Sequence, residues 1–317
     1  MAITYFTQDY KFIDYKPWTF NDLKTLPFRG PDKRTESESS DYFVFLGSAQ
    51  TFGRFVEKSF CERYGELAGV PCINLGTGGD SPEKIFRLMD GSSKYKSLIE
   101  NATHVVVQVI SPKNLADEDN RYTKHPNDLW SYVGDDDNKM FWTDLLGDYY
   151  YNNSKADLLD LVADSQQKYI NDLKKLLGKI SGQKTLLYLH RDRDLSNQES
   201  LLDDSSLETA KSSVKDYLGT FPQMISQSLL DDITASADRL ISYDYSDSLP
   251  ATINKAVDVS KEDEVKDKLF MYNNLKRQFE DIKNKRGLQT ETENDYYPPE
   301  EAHISIAQKL YDNIPQA

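Results

Sequence analysis

Short apolar runs separated by longer stretches with helical spacing are the feature that most constrains this fold. The run HVVVQVIS at residues 104–111 is apolar at nearly every position, and YFVFLG, PCINLG and QKTLLYLH have the same character. Strands that are apolar on both faces are typical of a parallel sheet covered by helices. The sequence therefore predicts a doubly wound, flavodoxin-like α/β three-layer sandwich with about five parallel strands, the last at DRLISYDYSD.

The intervening stretches carry helix signals. In SPEKIFRLMDG, Ser81 is a predicted N-cap and Pro82 occupies the first helical position. The stretch RFVEKSFCERYGELAG predicts a helix that ends at Gly69, and SQQKYINDLKKLLGKI predicts another. Further along, KEDEVKDKLFMYNNLKRQFEDIKNKR predicts an amphipathic helix with a solvated charged face.

The 317 residues, 38% of them hydrophobic, fit one large α/β domain with elaborations. Residues 1–40, which end in RGPDKRTESESS, predict an N-terminal extension, and residues 41–317 predict the domain itself. A segment of about residues 112–164, rich in Asn, Asp, Tyr and Trp, is too long for an ordinary connection. We expect it to be an insertion after the third strand that forms a lid or one wall of a cleft, with aromatic rings that could stack on sugars.

Charge and cysteine content narrow the classes of partner. The formal net charge is -14, which argues against nucleic acid and anionic membrane surfaces as partners. No leader-like or membrane-spanning apolar segment is found in the sequence, so we expect a cytoplasmic protein. Cys61 and Cys72 predict buried, inert thiols, and we expect no metal site, because GDDDN lacks the full spacing of a calcium loop. The oligomeric state is left open.

Ligands of open parallel sheets bind beyond the carboxyl ends of the strands. Candidate residues therefore follow each predicted strand. They are GSAQT at 47–51, GTGGD at 76–80, residues 108–114, and HRD at 190–192. Near the C-terminus, an E-x-x-H pattern formed by Glu300 and His303 opens a final helix.

This order of blocks resembles the SGNH (GDSL-like) hydrolase superfamily, and within it a little-characterised bacterial branch, over about residues 42–310. The resemblance implies a serine nucleophile from the first block, oxyanion donors from the second and third, and a histidine base from the last. By position it implies that His303 is the base, oriented by Glu300 where the family usually has Asp. It also implies that Gly76 or Gly78 supplies a backbone donor.

The first block departs from the family pattern. Ala49 stands where the nucleophile belongs, and Ser48 stands where the family usually has Asp. Covalent acyl transfer needs a nucleophile within about 2.6 to 3.2 Å of its base, and Ala49 has no nucleophilic group. Ser48 becomes the candidate nucleophile if the turn is shifted by one residue. The turn is also similar to the G-N-C-Q turn of capsular-polysaccharide acetyltransferases, which it matches at Gly47 and Gln50.

The third block lacks the family's G-x-N-D. The sequence leaves Gln108, Ser111 and Asn114 open as its replacements. The full set of predicted oxyanion or substrate-binding residues is Gly47, Gln50, Gly76, Gly78, Gln108, Ser111 and Asn114.

Three functional hypotheses follow. The first is an SGNH-like esterase or O-acyltransferase that acts on a glycan or small acylated metabolite, with Ser48, His303 and Glu300 as catalytic residues. It needs no resident cofactor, and an acyl donor such as acetyl-CoA is compatible with it. The second, favoured by Ala49, is a catalytically inactive protein of this fold that binds a carbohydrate or a partner. The third is a transferase that uses His303 as a base directly on a substrate hydroxyl.

Overall fold

The computed structural model describes residues 13–24, 26–37, 41–112, 130–132, 139–191, 199–248 and 297–315. The strands are β1 Phe43–Leu46, β2 Cys72–Asn74, β3 His104–Gln108, β4 Trp130–Tyr132, β5 Lys139–Phe141, β6 Gln183–His190 and β7 Arg239–Asp244. The helices are α1 Arg34–Ser37, α2 Ala49–Phe52, α3 Phe60–Ala68, α4 Pro82–Gly91, α5 Ser93–Glu100, α6 Trp142–Asn152, α7 Lys155–Leu177, α8 Leu207–Leu218, α9 Gln227–Thr234 and α10 Glu300–Asn313, with a 3₁₀ turn at Glu199–Leu201.

Five parallel strands form one sheet in the order β2-β1-β3-β6-β7, flanked by helices. The predicted doubly wound α/β fold class is therefore confirmed. Every residue of β1 and of β3 is buried, as expected for strands covered by helices on both faces, and this includes the polar His104 and Gln108 at the two ends of β3. Strand β7, at the end of the strand order, has a mixed burial pattern that ends at the exposed Asp244.

The chain divides into two compact units. Unit 1 comprises Met1–Gly78 and Asp247–Ala317, and unit 2 comprises Gly79–Ser246. In unit 1, α3 packs against both α10 and β2. In unit 2, β3, β6 and β7 pair in sequence, and α6, α7 and α8 enclose an apolar cluster around Tyr150, Val162 and Val214.

Serine caps set where several helices begin. Ser81 accepts a hydrogen bond from the Lys84 N–H and Pro82 opens α4, as predicted. Helix α7 begins at Lys155, earlier than predicted, because Ser154 and Asp157 form a capping box. Helix α6 and the start of α7 thus occupy the described C-terminal part of the predicted insertion. The rest of its predicted lid lies mostly outside the described residues, as does the amphipathic helix predicted in the charged C-terminal segment.

Helix α3 ends at Ala68 with Gly69 as its left-handed C-cap, as predicted, but it begins only at Phe60. Gly53 has a φ of 78°, and a Cβ there would lie 2.9 Å from the Ser59 side chain. The chain therefore turns at Gly53, and α3 begins when Ser59 caps it through the Glu62 N–H.

A buried arginine fixes the segment between α2 and α3. Arg29 is 1% exposed, and its guanidinium donates to the carbonyl oxygens of Gly53 at 2.6 Å, Val56 at 2.9 Å and Glu57 at 2.7 Å. The same group lies over the Tyr15 ring, 4.9 Å from its centroid. Burial lowers the pKa of Arg29, yet arginine stays charged at neutral pH. The segment thus takes its shape from a distant residue.

Within the described ranges, no helix combines the length and the apolar composition that crossing a bilayer requires. Both cysteines are free thiols and buried, as predicted.

We expect Arg29→Met to lower the free energy of unfolding by at least about 3 kcal/mol, because two buried carbonyl oxygens and one half-buried carbonyl oxygen lose their donor. Urea unfolding measures the change. Lys58→Met is the control, since the Lys58 ion pair with Glu66 is exposed and should change stability by less than about 1 kcal/mol. Equal unfolding midpoints for the two variants would contradict this account of the segment.

Candidate functional site

Ser48 lies where the sequence placed it, directly after β1 and at the N-cap of the short helix α2. Its side chain makes no capping hydrogen bond, and its hydroxyl instead donates to Gln50 Oε1. Ser48 is 8% exposed, and Ala49 beside it is buried. Among the predicted residues of the first block, the structure therefore brings Ser48 and Gln50 together.

The turn after β2 packs tightly against the turn after β1. A Cβ on Gly76 would lie 2.6 Å from the Phe52 backbone nitrogen, so only glycine fits there. The Gly76 N–H donates to Asn74 Oδ1 at 3.0 Å, and Asn74 Nδ2 donates to the Thr51 carbonyl at 2.8 Å. Asn74, which the sequence did not single out, thus ties the two turns together.

This packing engages the Gly76 amide, one of the two that the resemblance implied as oxyanion donors, and its neighbour Thr77. The Thr77 N–H donates to the Gly47 carbonyl at 2.9 Å, while the Gly76 N–H is held by Asn74. For Gly76 to serve as an oxyanion donor, its amide would have to leave Asn74. Gly78 closes the N-terminal segment of unit 1. The oxyanion roles of Gly47, Gly76 and Gly78 stay predictions.

His303 lies in the first turn of α10, is fully buried, and stacks on the Phe60 ring with centroids 5.3 Å apart. Its Nδ1 accepts a hydrogen bond of 2.9 Å from the Phe60 N–H, which is the first amide of α3. Burial, reinforced by the positive charges of Arg29 and Arg63, lowers the pKa of His303 to about 3. The ring is therefore neutral, and its single proton lies on Nε2.

Glu300, the first residue of α10, directs its carboxylate to α3 and the segment before it. Oε2 accepts from the Glu57 N–H at 3.1 Å, and Oε1 forms an ion pair with Arg63. Both oxygens thus have partners other than the His303 ring.

These contacts give Glu300 and His303 a clear structural role, since each joins α10 to α3 or to the segment before it. To act as a base through Nδ1, His303 would have to release the Phe60 amide, and Nε2 carries a proton in the neutral ring. The catalytic roles of Ser48, His303 and Glu300 stay predictions.

Two candidates of the third block lie in unit 2. Gln108 ends β3 and is 2% exposed, and Ser111 accepts a hydrogen bond of 2.9 Å from the Gln223 N–H. Asn114 lies outside the described residues. The contacts of this part of the chain do not select one of the three as an oxyanion donor.

Sequence reasoning placed Asp80, the last residue of GTGGD, among the residues that follow β2 but gave it no role. Its carboxyl group is buried, 3.8 Å from Lys84 Nζ, and its Oδ1 accepts from the Ser81 N–H at 3.1 Å. Burial outweighs these two contacts and raises the pKa of Asp80 to about 7. A carboxyl group that titrates near neutral pH is common at functional sites. Its position directly after a glycine-rich turn was the available signal.

Sequence reasoning also missed Ser242 and Asp244, the partners of the rim residue His190. His190 ends β6, as expected, and its Nε2 lies 2.9 Å from Ser242 Oγ. Its Nδ1 lies 3.8 Å from Asp244 Oδ2. The signal was an S-x-D pattern on the strand that pairs with β6, but only the register of the two strands shows that it meets His190.

Comparisons with known proteins bear on the first part of the chain. A family model described as a domain of unknown function (DUF6473) matches residues 1–128, which is less than half of the chain. No curated protein matches the chain. The matched segment includes Ser48, Asn74 and Asp80, whereas His190, Ser242 and His303 lie outside it.

We expect His303→Gln to lower stability more at pH 7 than at pH 5. The pKa of His303 is about 3 when folded, against 6.5 as its ordinary value. As the pH falls below about 6.5 the unfolded chain takes up a proton that the folded ring refuses, so the stability from a neutral His303 declines toward pH 3. Urea unfolding of both proteins between pH 4 and 8 measures this difference. A difference that does not change with pH would contradict a buried neutral ring.

Asp80→Asn should have the opposite pH signature. The folded carboxyl group holds its proton up to about pH 7, whereas the unfolded one loses it near its ordinary pKa of 3.8. The wild type therefore loses stability relative to the variant as the pH rises through that interval. Unfolding curves at pH 4.5 and 8 measure this loss, with Asp90→Asn as the control because Asp90 is exposed. An equal pH dependence in both variants would show that Asp80 is not the group that titrates.

Proposed function

We propose that the protein is an SGNH-like esterase or O-acyltransferase that acts on a glycan or a small acylated metabolite. The resemblance of the sequence blocks to that superfamily supports the proposal, as does a parallel α/β fold with a serine directly after β1. We also propose a cytoplasmic location, which the two free cysteines support because thiols stay reduced there.

The observation that carries the proposal is the state of the Ser48 hydroxyl. A serine at an N-cap ordinarily accepts a hydrogen bond from a backbone N–H of the helix. Ser48 makes no such bond, and its hydroxyl is directed to the side chain of Gln50. The hydroxyl therefore contacts a side chain in place of the helix amides, whereas capping would have been the main structural alternative to a chemical role.

One exposed tyrosine of the described residues supports a sugar substrate. Tyr151, in the aromatic segment that the sequence connects with sugars, is 46% exposed. Its neighbour Tyr150 is buried in the apolar cluster of unit 2 and serves packing. Exposed tyrosine rings are suited to stacking on sugar faces.

A second candidate function is binding without catalysis. It is favoured by His303, whose Nδ1 is occupied by the Phe60 amide and whose Nε2 carries the proton, so that the predicted base has no lone pair to offer. The same contact disfavours a transferase that uses His303 directly on a substrate hydroxyl. A binding protein would keep the fold and the turns and would have no need of a reactive serine.

A fluorophosphonate probe separates these functions, because it reacts with serines that are activated as nucleophiles. We expect the purified full-length chain to be labelled and to hydrolyse p-nitrophenyl acetate above the rate of a heat-denatured sample. Labelling at Ser48 would be abolished by Ser48→Ala. The complete absence of labelling and of hydrolysis would contradict the enzyme and leave the binding protein.

A further inference from the structure

We propose that Ser242, His190 and Asp244 form a second candidate nucleophilic centre, at the carboxyl ends of β6 and β7, that cleaves or transfers acyl groups of ester substrates. The inference rests on the proposed function, since it assigns the same chemistry to a different serine. All three residues belong to unit 2 and to two paired strands.

Strand register brings the three side chains together. His190 pairs with Asp244, and Tyr188 pairs with Ser242. Residues two apart on a strand point to the same face of the sheet. Ser242 and Asp244 therefore lie on the same face, next to the last residue of β6. Both strands end here, at the edge where ligands of parallel sheets bind.

The distances fit an activated serine. Ser242 Oγ lies 2.9 Å from His190 Nε2, within the range for a nucleophile and its base. Asp244 Oδ2 lies 3.8 Å from His190 Nδ1, which favours the tautomer with its proton on Nδ1. That tautomer leaves the Nε2 lone pair facing the serine hydroxyl. The separation to Asp244 is longer than a hydrogen bond, as is common before a substrate closes the site.

Further contacts hold these groups in place. Asp244 Oδ1 accepts a hydrogen bond of 2.9 Å from the Ser246 N–H, which leaves Oδ2 on the side of His190. The His190 ring stacks on the Tyr188 ring with centroids 4.7 Å apart. Because both the acid and the imidazole are held by neighbours, the arrangement does not depend on a single contact.

Exposure supports a site that a substrate can reach. The imidazole of His190 is nearly buried, with 4% of its side chain exposed, whereas 44% of the Asp244 side chain is exposed. Ser242 lies between these limits. The centre thus has a sheltered base and a nucleophile near the surface.

A second histidine pair in unit 2 provides a structural contrast. His104 Nε2 lies 2.7 Å from Thr185 Oγ1, but both residues are at least 98% buried and His104 opens β3 at the amino end of the strands. Burial, with a smaller contribution from the positive charge of Arg239, lowers the pKa of His104 to about 4. That pair is enclosed at the edge opposite to ligand sites, whereas Ser242 and Asp244 reach the surface at the carboxyl edge.

The proposed reaction has two steps, acylation of Ser242 and transfer of the acyl group to water or to an acceptor. Ser242 Oγ attacks the ester carbonyl carbon while its proton passes to His190 Nε2, and the C–O bond to the leaving group then breaks as His190 returns that proton to the departing oxygen. Water, or the hydroxyl of an acceptor, attacks the acyl-serine with the same proton transfers. The carboxylate of Asp244 stabilises the imidazolium formed in each step.

Labelling of the full-length chain with a fluorophosphonate, followed by mass-spectrometric mapping of the modified peptide, tests the inference. We expect Ser242 to be modified. Ser242→Ala should abolish labelling at this position and the part of the p-nitrophenyl acetate hydrolysis that persists in Ser48→Ala, and His190→Gln should slow that part by about 10²- to 10⁴-fold. Ser236→Ala, which changes a half-buried serine just before β7, is the control and should keep full activity.

The outcomes separate the inference from the proposed function. Modification at Ser48 alone, with activity retained in Ser242→Ala, would overturn the inference and leave the enzyme. No modification and no hydrolysis would overturn both. Circular dichroism of each variant excludes misfolding as the cause of a loss, and Asp244→Asn provides a variant in an exposed position that should fold. We expect Asp244→Asn to slow hydrolysis by about tenfold or more, because the His190 imidazolium loses the carboxylate that stabilises it.

Discussion

The buried guanidinium of Arg29 is the interaction on which unit 1 depends. It binds three carbonyl oxygens of the segment that joins α2 to α3, and so holds the shape of that segment between the turn at Gly53 and the Ser59 cap of α3. The first amide of α3, that of Phe60, then meets the His303 ring. Removing a cation that several carbonyl oxygens bind lowers the free energy of unfolding strongly, because every oxygen loses its donor at once.

His303, the histidine of the E-x-x-H pattern, has a structural role in unit 1, because it joins α10 to α3. Nδ1 of the ring accepts a hydrogen bond from the first amide of α3, which has no partner within the helix. Nε2 carries the proton of the neutral imidazole. Glu300 makes the same connection through Arg63 and the Glu57 N–H. In unit 2, by contrast, His190 has a serine hydroxyl beside one nitrogen and a carboxylate near the other. His303 thus contacts a backbone amide, whereas His190 lies between a hydroxyl and a carboxylate.

Local sequence signals predicted much of the fold. The apolar runs defined all five strands of the main sheet, and Ser81 with Pro82 defined the start of α4, because periodicity and capping act over a few residues. The start of α3 was predicted too early, because the Ser59 cap lies within the predicted helical stretch and the segment before it is held by Arg29, which lies far away in sequence. The sequence placed Ser48 and His303 on the right elements, but it did not reveal what their side chains contact. The meeting of His190 with Ser242 depends on strand register, which the sequence did not specify.

The tautomers of the histidines at neutral pH test the central claim most directly, and long-range ¹H–¹⁵N NMR measures them. The chain has four histidines, so single substitutions assign the signals. The account predicts a neutral His303 with its proton on Nε2 and a His190 with its proton on Nδ1. A His303 that carries its proton on Nδ1, or that becomes charged near pH 6, would contradict the account, because its Nδ1 would then not accept the Phe60 amide.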